Sequence, residues 1–171
     1  PVAGKHVPES VIPDGLQEAP AGSIIESSPA AVAIARAMAT RLVKQGGAAL
    51  IVDYGYDGPA IGETLQAMKG HAFANPFEAP GEHDLTAHVD FTALGAIATL
   101  AGAAVRGPIA QGDFLGGLGI AERAAMLARA NSHEGEKLAD AHRRLTSPAE
   151  MGSLFRAMAI VSPDWPEPAG F

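Results

Sequence analysis

Gly46-Gly47-Ala48-Ala49-Leu50-Ile51-Val52-Asp53-Tyr54-Gly55-Tyr56 is the stretch on which the fold turns. Ala48 to Val52 is a short apolar run opened by paired glycines and closed by Asp-Tyr-Gly, the pattern of a central strand covered on both faces. Immediately upstream, Val32, Ala35, Met38, Ala39 and Leu42 recur at helical spacing. Ser28 offers an N-cap and Pro29 occupies the first helical position, where its missing N–H costs nothing. Gly46 and Gly47 then end the helix and release the chain into the strand. A helix feeding a buried strand points to an α/β sheet, and in such sheets ligands gather beyond the carboxyl ends of the strands. Asp53, Tyr54 and Gly55 stand at that edge.

Upstream of the helix, residues 1–22 are rich in proline, glycine and acids and read as an irregular arm or connector, with residues 23–171 forming the domain. Residues 55–83 carry many turn formers and little periodicity, as expected of an ordered lid. Within them Thr64 to Met68 fits either a short helix or an added strand. Asp84 to Val89 alternates, with Leu85, Ala87 and Val89 on one face and Thr86 and His88 on the other. Asp90 caps a helix through Phe91, Leu94, Ile97 and Ala101, which Gly102 closes. Ala103 to Gln111 reads as an edge or bulged strand broken at Gly107-Pro108.

Helical patterns follow over 120–130 and 134–145. The glycines of 112–119 suit turns or close packing. Ser147-Pro148-Ala149-Glu150 resembles a capping box that starts a helix through Met151, Leu154, Phe155 and Met158. Ala159 to Val161 would then be a last strand, before a proline-rich tail. The order is mixed α/β, with parallel crossovers first and antiparallel strands later.

Composition narrows the function classes. A content of 47% apolar and 18% charged residues over 171 positions belongs to a folded domain with a sizeable core. No apolar run approaches the ~20 residues of a membrane span, and there is no signal-peptide pattern. Without cysteine, disulfides and thiolate metal sites are excluded. A net charge of −7 leans away from nucleic acid and toward a basic partner, or simply serves solubility. The chain opens on Pro1-Val2-Ala3-Gly4 without methionine, which fits the later part of something longer.

No glycine-rich dinucleotide fingerprint, phosphate loop or nucleophile elbow is present. His83, Asp84, His88 and Asp90 form the ligand-like cluster, but they lack diagnostic metal spacing; a capping Asp90 and a hydrogen-bonded His88 explain them without a metal. Asp53 and Glu26 are the carboxylates best placed for function, one ending the strand and the other just before the helix that feeds it. Two carboxylates at one site can grip a guanidinium in fork geometry. Structural roles compete: Glu26 suits a helix N-terminus, and Asp53 a strand-end turn. Tyr54 and Tyr56 flank the same edge and either line a substrate pocket or anchor the lid.

Taken together, GGAALIVDYGY, GETLQAMKGH, APGEHDLTAHVDF, GPIAQGDFLGGLGI and MGSLF resemble, in order, the C-terminal half of the MidA/NDUFAF7-type S-adenosylmethionine-dependent methyltransferases. The resemblance covers about 22–171. It implies the C-terminal portion of a class I, Rossmann-like fold, with a central sheet, flanking helices and a lid. It also implies methyl transfer from S-adenosylmethionine to an arginine of a basic protein, with a role of the respiratory complex I assembly type. The location implied is cytoplasmic in a bacterium and the mitochondrial matrix in a eukaryote.

Where the family usually reads Gly-Asp-Thr, this chain has Gly62-Glu63-Thr64, which keeps the acid. The family's glycine-rich cofactor loop lies N-terminal to the matching residues, so most of the cofactor site falls outside this chain. On this reading Asp53, Glu26 and Glu63 orient the guanidinium, and Tyr54, Tyr56 and Thr64 contact substrate. Thr86 and Asp90 hold the lid. The competing class is a non-catalytic binding or assembly module.

Overall fold

In the computed structural model, which describes residues 12–171, the helix and strand around Gly46 form as expected. Helix α1 spans Pro29–Gln45, with the Ser28 hydroxyl accepting from the Ala31 N–H at 3.4 Å. Gly46 and Gly47 adopt φ of 76° and 118°, the left-handed region that favours glycine, and the Gly46 N–H closes the helix on the Leu42 carbonyl. Strand β1 follows over Ala48–Tyr56.

Next comes a small antiparallel sheet built from β2 (Gln66–Lys69), β3 (Ala72–Ala74) and β4 (Asp84–Thr86), in the order β3-β2-β4. The added-strand alternative for 64–68 is thus the one realised. Strand β5 (Val89–Asp90) and helix α2 (Phe91–Leu100) return the chain to the main body, and β6 covers Ala104–Ala110. Helices α3 (Gln111–Gly117), α4 (Ile120–Ala130), α5 (Gly135–Thr146) and α6 (Met151–Leu154) lead to β7 (Phe155–Val161).

The main sheet has the order β5-β1-β7-β6. β7 runs antiparallel to β1 from Ala48↔Val161 to Tyr54↔Phe155, and β6 lies antiparallel on its other side. On one face, α1 and α2 bury Ala35, Ala39, Phe91, Leu94 and Ala98 against Met158 and Ile160 of β7. Small alanines let both helices sit close to the sheet: Ala39 and Ala98 have no exposed surface. β6 breaks register between Arg106 and Ile109, around the cis Gly107-Pro108 bond, matching the interruption expected there.

Three expectations need correction. The strand at 48–53 is covered on one face only, since Leu50 and Val52 remain 55% and 42% exposed. Helices α1 and α2 share the opposite face, where Ile51 packs. β1 is interior in strand order, but β5 meets only Gly55 and Tyr56; along Ala48–Asp53 its second edge has no strand beside it among the described residues. Second, Phe155 and Met158 belong to the central strand β7 rather than to a helix begun by Ser147. Seven residues paired with β1, five of them paired also with β6, outweigh a capping pattern, and the helix stops after Leu154.

Third, Asp84–Val89 is not one strand. β4 joins the small sheet and β5 the main one, with Ala87 and His88 as the joint. Most of the glycine-dense stretch 112–119 is helical, in α3, and of the two roles expected for its glycines, turns or close packing, the second holds for Gly112. A Cβ there would lie 2.5 Å from the Thr146 carbonyl oxygen. The arm falls partly outside the described residues. Its remainder includes a 3-10 turn, Asp14–Leu16, that buries Leu16.

Candidate functional site

The carboxyl end of β1 meets the arm before α1 and the chain on both sides of the small sheet. Glu26 is the junction. Its Oε1 accepts from the Thr64 N–H at 2.9 Å and the Leu65 N–H at 3.1 Å, and its Oε2 takes the Thr64 hydroxyl. Thr64 Oγ1 in turn accepts the His88 N–H at 2.9 Å. Burial pushes the Glu26 carboxyl upward, but the hydrogen bonds from Thr64 and Leu65 and the His88 charge outweigh it and hold the group below the ordinary range. One carboxylate therefore fastens the chain just before the small sheet, and through Thr64 the chain just after it. A second tie runs from the Gly62 N–H to the Ile24 carbonyl at 2.9 Å.

Tyr56 stands beside this junction. Its phenol is pushed above the usual tyrosine range, first by burial and then by the charges of Asp90 and Glu26. Asp90 caps α2, accepting the Ala93 N–H at 2.9 Å. These groups rim a groove of about 1210 Å³ between α1 and α2, walled by Ala33, Ala37 and Ile97 and with Arg36 along it. Acid and phenol at the mouth of an apolar slot suit a ligand with a cationic head and an aliphatic stem.

Asp53 lies apart from that rim. Its Oδ1 accepts the N–H of Tyr54 at 2.8 Å, and because β1 runs on to Tyr56 the residue lies within the strand rather than at the end expected for it. Across the ladder it faces Arg156 of β7, whose Nε is buried with no hydrogen-bond partner. Tyr54 packs edge-on against Phe155, with ring centroids 5.4 Å apart, and tilts over His88 at 5.8 Å. Glu63 is exposed, next to Thr64. The structure thus brings Glu26, Thr64 and Tyr56 together, sets Asp53 and Tyr54 on β1, and leaves Glu63 at the lid surface.

Reasoning from sequence missed Arg156 because its strand read as a helix. Asp90 carried a usable signal, standing directly before an apolar helix. Of the ligand-like cluster, Asp84 lies in β4, His88 packs on Tyr54 and Asp90 caps α2. Among the described residues no group of three or more His, Asp or Glu is placed to hold a metal, and no helix is long and apolar enough to cross a membrane.

Comparison with known proteins gives this geometry a context. Residues 3–109 match the family model of S-adenosyl-L-methionine-dependent methyltransferases. The zebrafish (Danio rerio) mitochondrial protein arginine methyltransferase NDUFAF7 is 38% identical over 141 residues, which are 81% of this chain and 32% of that protein. Its Drosophila melanogaster homologue, also mitochondrial, is 38% identical over 125 residues, 72% of this chain and 28% of its own length. A Burkholderia thailandensis superfamily member solved with S-adenosyl-homocysteine superposes with a TM-score of 0.73 at 31% identity, covering 84% of this chain and 38% of its own. The chain spans about a third of the length of the curated relatives it matches. The matched residues run from the arm through β1, the lid and α2 into β6, and so include the whole Glu26 junction: the chain belongs to the S-adenosyl-L-methionine-dependent methyltransferase family.

Proposed function

We propose that this chain forms the substrate side of an enzyme that methylates arginine in a basic protein, of the kind found among respiratory-complex subunits. The observation that carries the reading is the acid-rimmed groove at the carboxyl end of β1, in a chain whose relatives are named protein arginine methyltransferases. S-Adenosylmethionine, when bound, supplies an activated methyl group on a sulfonium. No Gly-x-Gly-x-x-Gly turn follows a strand in this sequence, so the chain's own part in the reaction lies on the side of the acceptor.

What these residues supply is orientation. A guanidinium nitrogen is a poor nucleophile until its lone pair is localised and held in line. As it gains the methyl group it sheds one N–H proton to solvent or to the carboxylate, and a carboxylate bonded to one edge of the fork directs the other edge outward. Asp53, on β1 outside the rim of the groove, is the candidate for that hold at the groove's approach, since among the described residues only its Oδ1 is engaged. Tyr54 and Tyr56 offer aromatic walls for the arginine stem. Glu26 and Thr64 act through the lid, keeping water from the groove. Glu63, exposed on the lid, contributes negative charge that draws the basic substrate in.

The test is Asp53→Asn in the complete parent protein. Transfer of radiolabelled methyl to a basic protein substrate should fall by more than about tenfold, while cofactor affinity by calorimetry stays within about twofold. Unchanged transfer would remove Asp53 from the site. Absence of transfer by the unaltered protein would favour the assembly-module reading.

A further inference from the structure

We propose that the small sheet is a docking platform for an extended protein segment carrying arginine or lysine beside apolar residues; this deepens the function proposed above and rests on it. Directly opposed residues in an antiparallel sheet share a face. Phe73 of β3 opposes Met68 of β2, which on its other side opposes Asp84 of β4. One row therefore crosses the sheet from an aromatic ring through a thioether to a carboxylate, spanning about 9–10 Å at the usual strand spacing. Phe73 is 76% exposed, an unusual position for a phenylalanine without a partner. Phe77, in the following turn, is 50% exposed.

Charge selects the occupant. Between Ile61 and Leu85 the acids are Glu63, Glu78, Glu82 and Asp84, against Lys69 as the single lysine or arginine. Lys69 is already paired with Glu82 at 2.6 Å. An acidic surface with an exposed aromatic row repels anionic membranes and nucleic acid, and it accepts a cationic side chain whose stem lies on the ring and whose head meets a carboxylate. β3 is also an end strand of its sheet, able to pair with an added strand. The chain enters and leaves the small sheet at the Glu26 junction, so a segment held on that sheet is delivered beside the groove.

The test measures binding of a fluorescein-labelled synthetic peptide of alternating arginine and leucine, by anisotropy, to the full chain and to its parent. The doubly substituted Phe73→Ser, Asp84→Asn protein should bind about tenfold more weakly, the combined effect of one exposed cation–aromatic contact and one exposed ion pair. Leu100→Ser, which removes an 83% exposed side chain from α2, should change nothing. Equal loss in the Leu100 variant, equal binding of a glutamate–leucine peptide, or capture of the chain by phosphatidylcholine vesicles in place of the peptide would each overturn the proposal. So would unaltered affinity with a lowered melting temperature, which would show that Phe73 is covered by the protein itself. The two readings separate cleanly. A parent protein that transfers no methyl but binds the peptide through Phe73 keeps the platform and loses the reaction. One that methylates the arginine peptide equally well with and without Phe73 keeps the reaction and loses the platform.

Discussion

Glu26→Gln is the perturbation that most directly probes how the lid is held. The side chain keeps its length and one carbonyl oxygen, but the other oxygen becomes an NH2 that cannot accept from the Thr64 hydroxyl or from the two N–H groups. A hydrogen bond to a charged group contributes about 1.5–3 kcal/mol. Glu26 is only partly buried, so solvent screening brings the loss to about 1–2 kcal/mol. That corresponds to about 5–30-fold faster local opening.

Three amides report it without ambiguity. Thr64 and Leu65 donate to Glu26 itself, and His88 donates to Thr64 Oγ1. Hydrogen exchange followed by NMR should accelerate at those amides while Leu50 and Ile51, in the β1–β7 ladder, keep their protection. The carboxyl sits below its unfolded value of about 4.3, so the latch contributes fully above that pH and is lost as pH falls through the lowered folded value. The glutamine variant should lose that acid-dependent opening. Unchanged exchange at all three amides, or a uniform rise over the whole chain, would refute the latch.

Phe91→Ala should cost about 3–5 kcal/mol, because the ring has no exposed surface and lies between α1, α2 and β7; thermal denaturation should show a melting point lower by about 10 °C or more. Gly55→Ala should cost about 1–3 kcal/mol, since a Cβ there would meet the Val89 carbonyl and come within 2.9 Å of the Phe91 ring; an unchanged urea midpoint would show that α2 moves aside freely. Leu50→Ser in this chain should change unfolding free energy by less than about 0.5 kcal/mol despite its place in the central sheet, and a larger loss in a denaturant titration would mean that its face is covered.

Local chemistry made parts of the fold legible in advance. Ser28, Pro29, Gly46 and Gly47 fix α1 through capping bonds and left-handed φ values, both written in a few adjacent residues. Asp90 fixes the start of α2 in the same way. Phe155–Met158 was misread, while Ala159–Val161 was rightly read as strand, because the strand identity of the whole stretch comes from β1 and β6, both distant in sequence, and the residues before it carry a local helix-start pattern. The bare face of Leu50 and Val52 failed for a related reason. An apolar run shows that a strand suits burial, but which face is covered depends on where α1 and α2 pack.

The site divides along the same line. Tyr56 was legible near the end of an apolar strand, whereas Asp53, read as that end, lies three residues inside it because the ladder to β7 and β5 carries β1 past the apolar run. The role of Glu26 was not legible, since its partners lie 38 and 39 positions away and adjacency to α1 suggested only a favourable charge at a helix N-terminus. A carboxylate with one oxygen shared by two N–H groups and the other taken by a hydroxyl has few acceptor positions left for a guanidinium. Asp53 keeps more, since among the described residues only its Oδ1 takes a hydrogen bond, from the Tyr54 N–H. On the function proposed above, orientation of a cationic substrate falls to Asp53, and closure of the site to Glu26. That separation lets substrate binding and lid opening be altered independently. Asp53→Asn should leave exchange at Thr64, Leu65 and His88 unchanged, and a variant that disturbed both would show the two carboxylates to be one coupled unit.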